Sequence, residues 1–119
     1  MSLFSFKPKG LTFQSVDADF AVRGQISVAD VKDVAAAGFK SIVCARPDNE
    51  SGDQPSFATI AAEAERNGLQ IVHVPVAGGL TQSNFQRFAD AMQDLPRPIL
   101  GYCRSGARAG SLYAAWKRG

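Results

Sequence analysis

Six residues near the C-terminus, Cys103-Arg104-Ser105-Gly106-Ala107-Arg108, bring one thiol and two guanidiniums together. The apolar stretch Ile99–Tyr102 runs into them, and a helix-compatible stretch, 109–117, follows. A cysteine between the end of a strand and the start of a helix holds its sulfur where unpaired backbone N–H groups converge. Arg104 and Arg108 add positive charge, and cysteine pKa values in such surroundings fall from about 8.5 to roughly 3.5–7.5. Gly106 gives the loop freedom to fold its amides around an anion. Cys103 therefore reads as a catalytic nucleophile and Arg108 as the clamp on the anionic group that it attacks. Arg104, Ser105, Gly106 and Ala107 form the binding loop between them. A buried structural cysteine beside a helix cap is the competing reading, and the flanking arginines weigh against it.

Other chemistry-bearing residues are sparser. Arg46, Asp48 and Glu50 follow an apolar segment and read either as substrate-positioning groups, with Asp48 as general acid in a phosphatase mechanism, or as a turn with an internal ion pair. Cys44 precedes them; it reads as a buried strand cysteine in preference to a partner thiol for Cys103. His73, the one histidine, lies between Val72 and Val74 and reads as a satisfied core side chain. Phe85 and Phe88 read as core, and Trp116 as packing on the sheet. The chain offers no metal-ligand cluster and no nucleotide-binding glycine spacing, so neither metal nor cofactor is expected.

The elements that would position these groups repeat a simple cycle. Ser27 with Asp30 opens a helix carrying Val31, Val34 and Ala35, Gly38 ends it, and a strand is expected over 39–45. Ser56 caps a second helix with Phe57, Ile60, Ala61 and Ala64 on one face; Gly68 stops it before a strand over 69–74. A third helix carries Phe85, Phe88, Ala89 and Met92 and ends before Pro96 and Pro98, leading to Ile99–Tyr102. Segments 11–16 and 19–22 read as short strands, an edge hairpin. Alternating strands and helices imply an α/β fold in three layers, a mainly parallel sheet with helices on both faces. Ligands in such sheets bind beyond the carboxyl ends of the strands, so loops 46–55 and 75–81 are expected to wall one pocket with Cys103.

The 119 residues suit one compact domain, 45% hydrophobic and 20% charged. A net charge of +2 argues for neither nucleic acid nor a membrane surface as partner. Residues 1–8 lack the layout of a secretory leader, and two cysteines make no disulfide framework. A reducing, cytoplasmic setting is the expectation. The short final helix before Gly119 suggests a single domain, 1–119, without its natural C-terminal part.

In sequence the chain resembles the phosphatase-like domain of the beta-lactamase hydrolase-like protein family. The resemblance rests on Gly24-Gln25, Gly38-Phe39, Arg46-Pro47-Asp48-Asn49-Glu50, Gln54-Pro55, Pro75-Val76 and Tyr102 to Arg108, in order along nearly the whole chain. It implies a dual-specificity-phosphatase-like fold with a rhodanese-like active loop, in proteins that occur alone or fused to a metallo-β-lactamase-fold persulfide dioxygenase. Such a dioxygenase, as a domain or a separate protein, is the implied partner, with its iron ligands elsewhere.

Three departures separate this loop from a tyrosine-phosphatase loop. Four residues, not five, lie between Cys103 and Arg108; loop 75–81 holds no carboxylic acid; and Ala109 stands where a hydroxyl usually follows the arginine. Relatives often carry serine at that last position. The sequence reading is therefore a sulfurtransferase that carries sulfane sulfur as a persulfide on Cys103. Its donor would be a small anion, thiosulfate or a low-molecular-weight persulfide, and its acceptor a thiol. Ser105 would hydrogen-bond the sulfur and Arg104 steer the donor. A cysteine phosphatase with a phosphocysteine intermediate is the alternative, and a non-enzymatic anion-binding or partner-docking module the third reading.

Overall fold

A computed structural model describes residues 11–119; the expectation about residues 1–8 lies outside them. The described chain runs β1 (Gln14–Ser15), β2 (Phe20–Arg23), α1 (Val31–Ala36), β3 (Ser41–Cys44), α2 (Phe57–Arg66), β4 (Gln70–His73), α3 (Gln82–Asp94), β5 (Ile99–Tyr102), α4 (Ala107–Arg118). The five strands form one sheet in the order β1-β2-β5-β3-β4. β2, β5, β3 and β4 are mutually parallel, and only β1 is antiparallel, folded back on β2 as the expected edge hairpin.

Local chemistry sets the helix starts. The Ser56 side chain accepts from the Thr59 amide ahead of α2, and Thr81 forms a capping box with Asn84 ahead of α3. Ser27 and Asp30 make the same reciprocal pair, at 2.9 and 3.1 Å, but α1 starts a turn later, at Val31. The strands are shorter than the apolar runs, because register pairing in the central pair spans only Ser41↔Ile99 to Cys44↔Tyr102.

Alternation along the strands sends side chains to two faces. Ile42, Cys44, Leu100 and Tyr102 join Val34, Ile60 and Ala64 under α1 and α2. Val43, Ala45, Ile99 and Cys103 join Phe88, Met92, Leu112 and Tyr113 under α3 and α4. Phe20 anchors that second face, its ring stacked 4.2 Å from Tyr113 and edge-on to Phe88. Trp116 is half-buried, edge-on to Phe88. Phe85 departs from its expected core position: it is only half-buried, because Asn84 and Phe88 take the inner face of α3.

Three loops leave this frame from one rigid edge. The ladder continues past the strand ends, with the Ala45 amide donating to Tyr102 (2.7 Å), Val74 to Cys44 (2.8 Å) and Val76 to Ala45 (3.0 Å). The starts of loops 46–55, 74–81 and 103–106 are thus held together before their side chains are considered.

Candidate active site

Cys103 follows β5 directly and is fully buried, and α4 starts four residues later. Gly106 makes the reversal: it is the N-cap of α4 at φ 99°, and a β-carbon there would meet Arg23 backbone at 3.3 Å. The turn aims the Gly106 amide at Cys103 Sγ, 3.1 Å away. Burial works against the thiolate, but the amides of Ala109, Ser105, Arg108 and Gly106 outweigh it, and the Cys103 pKa falls below that of an ordinary thiol. Ser105 thus acts through its backbone; its hydroxyl, expected on the sulfur, instead accepts from the Ala107 amide at 3.3 Å.

Arg108 ties all three loops together. Its Nη1 donates to Glu50 Oε2 (2.6 Å) and to the Val76 carbonyl (2.7 Å), and its Nη2 to Glu50 Oε1 (2.9 Å). The guanidinium also reaches the Cys103 side chain. Glu50 is shared: Arg46 Nε donates to the same Oε1 at 3.0 Å. Flanked by two guanidiniums, Arg108 first and Arg46 after burial's opposing effect, its carboxyl falls to about 2. The Arg108 pKa is raised in return, chiefly by Glu50.

The rest of loop 46–55 is fastened from below. The Arg46 carbonyl takes His73 Nε2 (2.8 Å) and the Cys44 thiol (3.4 Å), and Arg46 Nη1 donates to Gln25 Oε1 (2.9 Å). His73 lies flat on Phe57, with centroids 4.5 Å apart, a satisfied half-buried ring as its flanking valines suggest. Gln54 accepts from the Glu50 and Ser51 amides and donates to the Pro47 carbonyl. Gly24 matters through its missing side chain: a β-carbon there would sit 2.7 Å from the Arg104 carbonyl, which Gln25 N contacts at 3.3 Å.

Two corrections follow for the expected binding residues. Asp48, expected to position substrate or donate a proton, is engaged elsewhere: its Oδ1 accepts from the Phe57 amide (2.8 Å) and so finishes the first turn of α2. Nor do the two loops wall a single pocket. One hollow is lined by Pro75, Gly78, Thr81 and Arg87 among others, with no residue of loop 46–55. The other lies between Arg46, Asp53 and Arg104. Arg104 is at the rim, as the sequence suggests, and Arg46 is buried behind it. Cys44, buried and with its pKa raised by that burial, lies on the opposite face of the sheet from Cys103. No group of three His, Cys, Asp or Glu side chains among the described residues is placed to hold a metal ion.

A parallel-stranded α/β domain with an amide-ringed cysteine and an arginine closing its loop is a phosphatase-like domain. The beta-lactamase hydrolase-like protein, phosphatase-like domain, matches residues 12–118, and the chain belongs to that family. It is 32% identical over 99 residues to a beta-lactamase hydrolase-like protein of Agrobacterium fabrum and 35% identical over 100 residues to one of Xylella fastidiosa. These matches take in 82% and 83% of this chain but 23% of each relative, so the chain spans about a quarter of their length. Among solved structures, a candidate phosphatase of Neisseria meningitidis superposes with a TM-score of 0.76 at 32% identity, over 84% of this chain and 72% of that one. The core catalytic domain of a PP-IP phosphatase from S. cerevisiae shares the fold, at TM-score 0.64 and 15% identity over 89% and 64% of the two chains. No helix among the described residues is long and apolar enough to cross a membrane.

Proposed function

We propose that the chain is a thiolate-dependent hydrolase of the cysteine-phosphatase type, in which Cys103 takes a phosphoryl group from an anionic ester and passes it to water. The observation that carries the reading is the Cys103 thiolate, ringed by loop amides and faced by Arg108, on a fold shared with phosphatases. Cys103 Sγ attacks phosphorus; the bond to the leaving oxygen breaks and that oxygen departs with the electron pair. Water then cleaves the phosphorus–sulfur bond, releasing inorganic phosphate and the thiolate. Loop amides and Arg108 stabilise the charge on the equatorial oxygens.

The carboxylates beside the site narrow the substrate. Glu50 is ionised and committed to arginines, Asp48 caps α2, and Asp53 is held below the ordinary carboxylate range by Ser51. Glu50 and Asp53 are thus held ionised, and neither serves as a proton donor to a poor leaving group. Groups that depart as stable anions, such as aryl oxides or phosphates, fit this site; simple alkoxides do not.

The same shortage favours a second reading, sulfur transfer. A persulfide or thiosulfate sulfur moves to the thiolate with no proton needed by the departing group. The four-residue span between Cys103 and Arg108, and Ala109 without a hydroxyl, also suit that chemistry. Intact mass separates the two. After brief exposure to p-nitrophenyl phosphate, quenched in acid, the phosphatase reading expects one phosphoryl group on Cys103 and steady release of nitrophenol. After thiosulfate or glutathione persulfide, the second reading expects one cyanide-removable sulfur. Neither adduct on Cys103 would overturn both and leave an anion-binding module.

A further inference from the structure

The hollow beside the nucleophile loop has a volume of about 280 Å³ and is lined by Gln25, Arg46, Gln54 and Arg104, with Ser51 and Asp53 across from them. Arg46 is an unusual wall. It is 4% exposed, and its Nε and Nη1 are spent on Glu50 and Gln25. Its Nη2 donates to no atom among the described residues, yet no buried side-chain nitrogen there is left unsatisfied, so Nη2 is reached by solvent, and the hollow is the cavity that Arg46 lines. A guanidinium already fixed by two hydrogen bonds and open along one edge can take an anion there with little further ordering.

The other polar side chains sort cleanly. Gln25 accepts from Arg46 and donates to the Ile26 carbonyl; Gln54 is fully engaged with the loop backbone. What remains for a ligand is Arg46 Nη2, the Arg104 guanidinium and the Asp53 carboxylate, on which both guanidiniums act electrostatically. Asp53 accepts from the Ser51 hydroxyl, which leaves a carboxylate further acceptor sites. Its lowered pKa, due first to Ser51, keeps it charged at neutral pH.

Two guanidiniums facing one carboxylate complement a zwitterion, and we propose that this hollow binds the α-ammonium and carboxylate of a small amino acid that presents its reacting side-chain group to Cys103. The carboxylate lies on Arg46 and Arg104, and the ammonium on Asp53. The reach is short: Arg46 and Arg108 both hydrogen-bond Glu50 Oε1, at 3.0 and 2.9 Å, so the carboxylate site and the anion clamp are neighbours. This assignment names the substrate class of the site proposed above and rests on that reading of Cys103.

Protection of Cys103 from iodoacetamide, read by peptide mass, tests it without requiring turnover. The probes are O-phospho-L-serine, used as a ligand because its alkoxide leaving group keeps it from turning over, phosphoethanolamine (no carboxylate), 3-phosphoglycerate (hydroxyl for ammonium) and inorganic phosphate. O-phospho-L-serine is expected to protect at roughly tenfold lower concentration than either organic analogue, each missing charge contact costing about one decade. The advantage over 3-phosphoglycerate is the sharper sign, since net charge alone would favour the more anionic compound. Arg104→Gln should erase the margin over phosphoethanolamine, and Asp53→Asn the margin over 3-phosphoglycerate; both residues are exposed, so the fold is not at risk. Equal protection by the three organic phosphates overturns the zwitterion site while leaving the anion site intact. No protection by any probe, inorganic phosphate included, overturns both.

Discussion

Replacing Glu50 by glutamine keeps the side chain's shape and removes the charge that two arginines share. The carboxylate receives three charge-assisted hydrogen bonds, at 2.6, 2.9 and 3.0 Å. Its pKa of about 2, against an ordinary 4.5, corresponds to about 3 kcal/mol of preference for the charged form. The side chain is 25% exposed, and solvent screening reduces the net value to about 2 kcal/mol. The glutamine carbonyl serves one arginine at best, and its amide turns N–H groups toward a guanidinium. Urea unfolding at pH 7, followed through Trp116 fluorescence, should therefore show Glu50→Gln destabilised by about 2 kcal/mol, with a melting temperature lower by roughly 8 °C. The pH dependence carries the sign. A carboxylate with a depressed folded-state pKa contributes fully above its unfolded value near 4.5 and loses that contribution as pH falls through about 2. The gap between wild type and variant should accordingly close over that window. A pairing of Glu50→Gln with Arg108→Met in a double-mutant cycle should give a coupling above about 1 kcal/mol. A cost below about 0.5 kcal/mol at pH 7, or a gap independent of pH, would refute the shared-carboxylate account.

The remaining expectations concern the nucleophile and its loop. Cys103→Ser should abolish every adduct and all turnover while Cys44→Ser keeps most of it; intact mass and steady-state rates decide, and substantial turnover by the first variant would sink the mechanism. Cys103 alkylation by iodoacetamide should titrate with a midpoint below that of free glutathione, because the loop amides favour the thiolate; a midpoint above it would contradict the loop geometry. Gly24→Ala should cost roughly 1–3 kcal/mol and slow Cys103 chemistry, since its new methyl carbon meets the Arg104 carbonyl at 2.7 Å and must push the loop aside. An unaltered alkylation rate in that variant would show that the Gly24 contact does not position the loop.

Much of the frame can be read from local patterns, and the particulars show why. Ser56 and the run Phe57, Ile60, Ala64 define α2 because a cap and a 3.6-residue period coincide there. Ile99–Tyr102 is a strand with the expected bounds, since both its neighbours pair with it throughout. α4 begins at Ala107, two residues ahead of the expected start, because Gly106 in the left-handed region completes the turn at once. The Cys103–Arg108 loop is legible because its chemistry is contiguous. Glu50 is not read as the partner of Arg108, since the contact joins residues 58 apart. Only the order of the parallel strands brings the loops after β3 and β5 together. Its local hint was Arg46, four residues earlier in a non-helical loop. Asp48 is misread for the opposite reason: a carboxylate beside a presumed site is also nine residues ahead of the Phe57 amide, which the Ser56 cap does not reach, and the near demand is met first.

The placement of the two cysteines on opposite faces of the sheet sets how Cys103 can be unloaded. A sulfenic acid, a persulfide or a mixed disulfide on Cys103 has no second thiol within the chain onto which to collapse, because the sheet itself separates them. Recovery of the free thiolate from any of these then falls to an external thiol, a small one or a partner's cysteine. The lifetime of such an oxidised sulfur on Cys103 is thereby governed by the surrounding thiol pool, and oxidation of that pool would lengthen it.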